Sequence, residues 1–391
     1  MNNLKQKAAA IVFGSNINGL SIISELKEKK VKDIILIDRV RNYAFFTSGL
    51  KKKIKIEYTN TEILKNTLKK LHEEYSYLVL FPTADIEIIS IYKIIDEIKN
   101  FCFIPFNEKN VIQSHEKLVQ YKFCEQLGIP YPRTVNIDKT SDIENIKELM
   151  FPVIIKPNIK KPNVEVFRNL ILNEDQNLED KKVILEEYLN KGITFLASEI
   201  IPGSGDNIYA YVGYRSKKGK ILNEWIGKKL SQFPDDFGVF ASATNQAPET
   251  VREQGRKLIE AMDLYGILEP EFKYDHRDGK YKLMEINLRS MMWHRVGNLS
   301  GVNLQYTQWL DATGQKTFKQ KQNLETKIHF VYLQYELINL FCRKKYAKTF
   351  WYNLTKGDRL HLAEFQHFNI LTLTYSLILT FLRIIKRCLK L

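Results

Sequence analysis

Cysteine is sparse: Cys102, Cys124, Cys342 and Cys388 are the four in 391 residues, and no two stand at a CxxC spacing. Neither a disulfide framework nor a local zinc ligand set is written in the chain, and a reducing, cytoplasmic compartment is the expectation. No apolar run reaches the roughly 18 to 20 residues that a membrane-spanning helix requires. The opening MNNLKQKAAAIVFG passes from a few polar residues straight into a strand-like segment, without the apolar core and cleavage site of a secretory leader. Glycine is missing altogether between Gly128 and Gly192. A loop that wraps phosphate closely with its own backbone relies on glycine, so a glycine-rich phosphate loop is excluded from that stretch. Internal repeats and low-complexity segments are also lacking.

What is present has the make-up of a globular protein, with 44% hydrophobic and 27% charged residues and length enough for two or three domains. The net charge of +14 is concentrated: residues 316–391 hold 14 Lys/Arg against 4 Asp/Glu, a net of +10. These charges sit beside apolar tail residues rather than along an aromatic-studded groove, so a nucleic-acid partner is not expected.

Residues 8–105 alternate apolar strand-like runs (AAAIVFG, DIILIDR, YLVLFPT, CFIPF) with helical patterns, which predicts a doubly wound parallel sheet. The first turn, GSNINGL, keeps Gly14 and Gly19, and Asp38 ends the second strand; a degenerate nucleotide fingerprint and a plain tight turn both fit. A helix spanning 107–127 closes at Gly128, and Pro130 and Pro132 force an extended segment after it. FPVIIKP reads as a short buried strand ending in Lys156, and VILEEYLNKG as a helix. Further on, EPEFKYDHRDGKYKLMEINLR carries a hairpin signal at HRDGK.

That hairpin sets Glu271 on one strand near Glu285 and Asn287 on the next, with Arg289 continuing the same face by strand alternation. Two carboxylates and an amide oxygen form a hard, oxygen-only donor set suited to Mg²⁺, which keeps part of its shell for water and phosphate and so points to a nucleoside triphosphate. A solvated hairpin face is the alternative, though the apolar, aromatic SMMW that follows is odd for open surface.

The succession FPVIIKP, SEIIPGSGD, GKKLSQFPDDFG, EPEFKYD and LMEINLR resembles the ATP-grasp superfamily, and its carboxylate–amine ligases in particular, over roughly residues 8–315. The resemblance implies an α/β and α+β architecture. A pre-ATP-grasp doubly wound sheet (1–105) is followed by a two-lobed ATP-grasp domain (106–315, lid lobe about 130–200) and a helical, basic extension (316–391). It implies ATP and Mg²⁺, two ions, as cofactors. Lys156 and Lys117 take the place of phosphate-contacting lysines, with a strand-end cap or a solvated helix lysine as the plain readings. The backbone C=O of Glu199 and N–H of Ile201 take that of the adenine reader, and Asp206 that of a ribose contact or a turn aspartate. Glu271, Glu285 and Asn287 match the metal ligands and Arg289 the arginine facing the transferred phosphoryl group. Lys229 matches a phosphate or acyl contact, with plain surface as its alternative. Where the family has a glycine-rich loop this chain has NIKKPNVEVFRN, with Arg168 as a candidate phosphate contact. Ser290 to His294 either line an acceptor pocket or, for His294, simply pack.

The implied reaction activates a carboxylate as an acylphosphate and passes it to an amine. The alternative is a non-catalytic ATP-binding or membrane-docking protein that keeps the fold. The final segment, HFNILTLTYSLILTFLRIIKRCLKL, reads as an interfacial or a core-packing helix. Small-molecule or lipid-linked substrates on a cell-envelope glycan or peptidoglycan precursor suit such a tail. So does peripheral contact with the inner face of the membrane through residues 371–391, and a homodimer is allowed.

Overall fold

A computed structural model describes residues 7–159, 164–174, 176–234, 238–366 and 370–388. The chain divides into two compact units. The larger holds Met1–Phe123, Ser204–Phe272 and Glu285–Leu391, and the smaller Cys124–Gly203 with Lys273–Met284.

In the larger unit, five strands form a wholly parallel sheet in the order Lys52–Lys55, Ile34–Asp38, Ala8–Phe13, Tyr77–Phe81, Cys102–Phe103. Its central strands are apolar and sealed on both faces, as a parallel sheet between helices requires. Asn16 caps the helix Ile17–Glu28 by accepting the amides of Asn18 and Gly19.

A second sheet has seven strands, in the order Lys280–Asn287, Gly266–Asp275, Ile208–Arg215, Ile221–Phe233, Val239–Thr244, Ile328–Val331, Arg359–Leu362. The turn joining the first two closes at Gly279, whose φ of 69° is left-handed, with its N–H donating to the carbonyl of Asp275 at 2.9 Å. The hairpin expected at HRDGK is thus formed.

The helix expected over 107–127 is broken into Val111–Ser114 and Lys117–Leu127. The cause is local: His115 Nδ1 bonds the carbonyl of Val111 at 2.7 Å, the acceptor its own amide would need, and that amide turns instead to Ile112.

Beyond residue 316, helices Leu333–Cys342, Ala347–Thr355 and Ile370–Cys388 complete the larger unit. Glu336 on the first is fully buried, and its carboxylate accepts from Ser231, Ser242 (2.7 Å), Tyr346 (3.0 Å) and Asn353 (3.0 Å). Glu364 caps the same helix by accepting the amides of Leu333 and Gln334, and takes a hydroxyl from Ser376 of the last helix at 3.1 Å. The core-packing reading of the tail looked to its apolar residues for burial. Instead Thr372, Ser376 and Thr380, four residues apart, are its fully buried residues, with Tyr375 and Leu379 partly buried beside them and most of the other large apolar residues turned outward. Among the described residues, no helix is long and apolar enough to cross a membrane.

The smaller unit is built on four antiparallel strands in the order Thr134–Ile137, Thr194–Glu199, Val153–Ile159, Leu170–Leu172, with the helix Gln176–Asn190. Ile137, Ile143, Ile146, Val153, Ile155, Leu185 and Phe195 form its core. Residues 160–163 of NIKKPNVEVFRN lie outside the described residues, as do 235–237 of GKKLSQFPDDFG and 389–391 of the tail.

Candidate active site

Strand alternation places Glu269 and Glu271 on one face of Gly266–Asp275, and Glu285 and Asn287 on one face of Lys280–Asn287. Glu269, Glu271 and Asn287 are buried, while the Glu285 side chain is 45% exposed. Lys229, on the strand Ile221–Phe233, is buried too and meets Glu271 Oε2 at 2.6 Å. The surface alternative for Lys229 is therefore wrong. Lys117, at the head of its helix, lies 3.8 Å from Glu285 Oε2. Asn287 Nδ2 donates to Glu269 Oε1 at 3.2 Å, which commits the amide nitrogen and leaves Oδ1 as the atom to offer a cation.

Charge is poorly balanced on this face. Burial, with Glu269 and Glu285 close by, pushes the Glu271 carboxyl up to about 7 despite its lysine partner. Burial disfavours the Lys229 ammonium, yet the surrounding carboxylates hold it above the ordinary lysine value. Among the described residues, no group of three or more His, Cys, Asp or Glu side chains converges into a ready-made metal cage. An incomplete oxygen set of this kind fits Mg²⁺, which takes one or two carboxylates from protein and the remaining ligands from water and phosphate.

Behind this face, Met291 N–H donates to His294 Nδ1 at 3.2 Å, so Nε2 carries the proton that His294 gives to Glu269 Oε2, 2.5 Å away. His294 is thus packed and orients Glu269. Arg289 forks onto Asp85, Nε to Oδ1 at 2.7 Å and Nη2 to Oδ2 at 2.9 Å. Burial opposes ionisation of Asp85, but hydrogen bonds from His115 and Arg289 outweigh it and hold the carboxyl well below the usual range.

The other candidate residues are more scattered. Asp206 lies exposed in the turn Gly205–Asn207, close to Ser204 Oγ. In the smaller unit, Lys156 sits on the strand Val153–Ile159 opposite Leu196. Arg168 is exposed just before Leu170–Leu172. Glu199 ends the strand Thr194–Glu199, its side chain accepting the amide of Met150 at 2.9 Å, and the Ile201 side chain is buried. At the first turn of the parallel sheet, Asp38 is taken up by the amide and hydroxyl of Ser15. A Cβ on Gly14 would lie 2.2 Å from Thr83 Oγ1. This is the geometry of a tight, filled turn.

Glu269, Asp85 and His115 join the site unannounced by the motifs. Glu269 was legible, since LEPEF sets two glutamates two residues apart on one strand face. Asp85 lies 204 residues from Arg289, and no local pattern links them.

No protein-family profile matches the chain. It is 24% identical over 229 residues to a D-aspartate ligase of Enterococcus faecium, covering 56% of this chain and 54% of that protein. The chain thus spans about half the length of that curated relative. Among solved structures, N5-carboxyaminoimidazole synthetase of Staphylococcus aureus superposes with a TM-score of 0.63 at 13% identity, over 84% of this chain and 82% of that one. Biotin carboxylase of Campylobacter jejuni, solved as a β,γ-ATP complex, superposes with a TM-score of 0.64 at 15% identity, over 83% and 75%. The chain thus shares the fold of these solved structures, the α/β and α+β architecture that the resemblance of its motif series implied.

Proposed function

We propose that the protein is an ATP- and Mg²⁺-dependent carboxylate–amine ligase. The observation that carries the reading is the strand face itself: Glu271, Glu285 and Asn287 on neighbouring strands, with Lys229 and Lys117 against the two carboxylates. Bound magnesium, one ion or two, would neutralise charge on β- and γ-phosphate oxygens. Glu271, Glu285 and the Asn287 amide oxygen would hold it. Lys229 and Lys117 keep these carboxylates in place and add positive charge where phosphate oxygens gather. The forked bond to Asp85 orients Arg289, whose guanidinium would face the transferred phosphoryl group. In the reaction, a carboxylate oxygen attacks the γ-phosphorus and the bond to ADP breaks. The amine nitrogen then attacks the acyl carbon, phosphate leaves, and the amine gives up a proton.

The roles of Lys156, Arg168, Glu199, Ile201 and Asp206 toward the nucleotide, and the functional division at residues 105 and 315, belong to this proposal on the resemblance alone. The likeness to a D-aspartate ligase favours an amino acid as the activated carboxylate. A cell-envelope glycan or peptidoglycan precursor, lipid-linked and met at the inner face of the membrane, is the acceptor we propose.

The test is release of ADP and phosphate across a panel of amino acids and amines. Release is expected only when both correct substrates are present, and Glu285→Ala is expected to abolish it. Unchanged turnover in that variant refutes the assignment.

A further inference from the structure

The last helix, Ile370–Cys388, presents to solvent the residues a helix ordinarily buries. Its hydroxyl stripe, Thr372, Ser376 and Thr380, is sealed against the rest of the larger unit. The stripe is tied down by polar bonds: Thr372 Oγ1 to the Glu364 carbonyl, Ser376 Oγ to the Glu364 carboxylate, and Arg383 to Gln334 Oε1 at 2.7 Å. Outward stand Leu377, Ile378, Phe381, Leu382 and Ile385, exposed by 47, 56, 66, 56 and 36%. Leaving five large apolar side chains in water on one helix is costly, and a contiguous face of this kind marks an interaction surface.

The surrounding charge selects the occupant. Of the four acidic residues after position 315, Glu336 and Glu364 are fully buried, which leaves Glu325 and Asp358 as the exposed acids in a segment whose sequence carries 14 basic residues. Lys344, Lys345, Lys348, Lys356, Arg359 and Arg383 are all exposed. Neighbouring helices add exposed Phe341 and Trp351, at 65 and 61%. A second copy of the chain would bring the same positive charge and repel. An anionic lipid surface takes both the charge and the aliphatic face, at the depth where helices lying in the membrane plane bury one side.

We infer that the outer face of Ile370–Cys388 docks the protein peripherally on anionic membrane, lying in the interface without crossing it. This gives a structural basis to the membrane-side acceptor proposed above, and deepens that reading, but its test is separable from ligation. The full chain is floated with vesicles of phosphatidylcholine alone and with vesicles containing phosphatidylglycerol. Binding is expected to the anionic vesicles only and to fall with added salt. Phe381→Ser with Leu382→Ser is expected to weaken it by about tenfold or more. Because both residues point outward, the melting temperature and ATP turnover with water-soluble substrates are expected to stay as in the parent chain. Equal affinity for both vesicle types, or none for either, overturns the inference. So does a dimer in solution that the same double variant dissociates, since the face is then homotypic. Docking of the double variant as tight as the parent's also overturns it, whereas a parent chain that docks but shows no turnover counts against the ligase reading alone.

Discussion

Two groups of glutamates in the larger unit, one buried and one reaching from the interior to the surface, behave as opposites. Glu336 is surrounded by neutral donors, two serine hydroxyls, a tyrosine and an asparagine, so its carboxylate is saturated by groups that ask for nothing more. Glu269, Glu271 and Glu285 instead crowd one another around Lys229 and Lys117, and burial first, then the neighbouring carboxylates, pushes Glu271 up to about 7 against Lys229. The first arrangement is complete as folded, and it pins the helices beyond residue 316 to the seven-stranded sheet. The second has more acceptor oxygens than cations, the state expected of a site that a metal–phosphate ligand completes. Burying a carboxylate therefore does not itself mark a site; the company it keeps does.

The contrast can be broken by substitution. Glu285→Ala, at a half-exposed side chain, is expected to lower ADP release by about a hundredfold or more with little change in melting temperature; a stability loss with turnover intact would put Glu285 in the structural class. Glu336→Ala orphans several buried donors, and a loss of about 3 kcal/mol is expected in denaturant unfolding, with the KM for ATP unmoved. Arg289→Lys keeps the charge but not the fork onto Asp85, and about a tenfold fall in kcat is expected. If Asp85→Asn does not reproduce part of that fall, Asp85 is no positioning residue.

A pH effect on stability concerns Glu25, a buried carboxyl outside both groups. Burial pushes it up to about 8 from 4.5, against the amide of Tyr306 and the charge of Arg295. A carboxyl raised on folding keeps its proton in the native state while the unfolded chain loses it. Stability should then fall as pH rises between about 4.5 and about 8. Melting curves at pH 5 and pH 8 should show a shallower decline for Glu25→Gln; an unchanged slope would remove Glu25 as a source.

Much of this was legible in the chain. Strand alternation through EPEF and MEIN set Glu271, Glu285 and Asn287 on their strand faces, because a period of two is a property of the backbone and needs no tertiary knowledge; the strand ends at Asn287, so Arg289, expected to continue that face, lies beyond it. Four of the five parallel strands were equally readable as uninterrupted apolar runs, while the edge strand Lys52–Lys55, three of its four residues lysine, was not. The break in the helix at His115 was not, since it depends on one side chain taking a carbonyl from its own backbone. Nor was the Asp85 partner of Arg289, or the burial of Lys229, both set by contacts across long stretches of chain. The core-packing reading of the tail missed its seat for a simpler reason: apolar residues dominate the pattern, while the hydroxyls that are buried look like ordinary helix surface.

The manner in which Glu364 is held bears on how the tail can be studied. One carboxylate serves both the start of Leu333–Cys342 and Ser376 of the final helix, and Gln334 reaches Arg383 and Tyr43 from the same place. Cutting the chain before residue 370 would strip the Ser376 hydroxyl from a sealed carboxyl group and the Thr372 hydroxyl from the carbonyl of the same residue, and loosen an element next to the parallel sheet. Truncation thus confounds anchoring with folding, and single outward-facing replacements are the cleaner instrument.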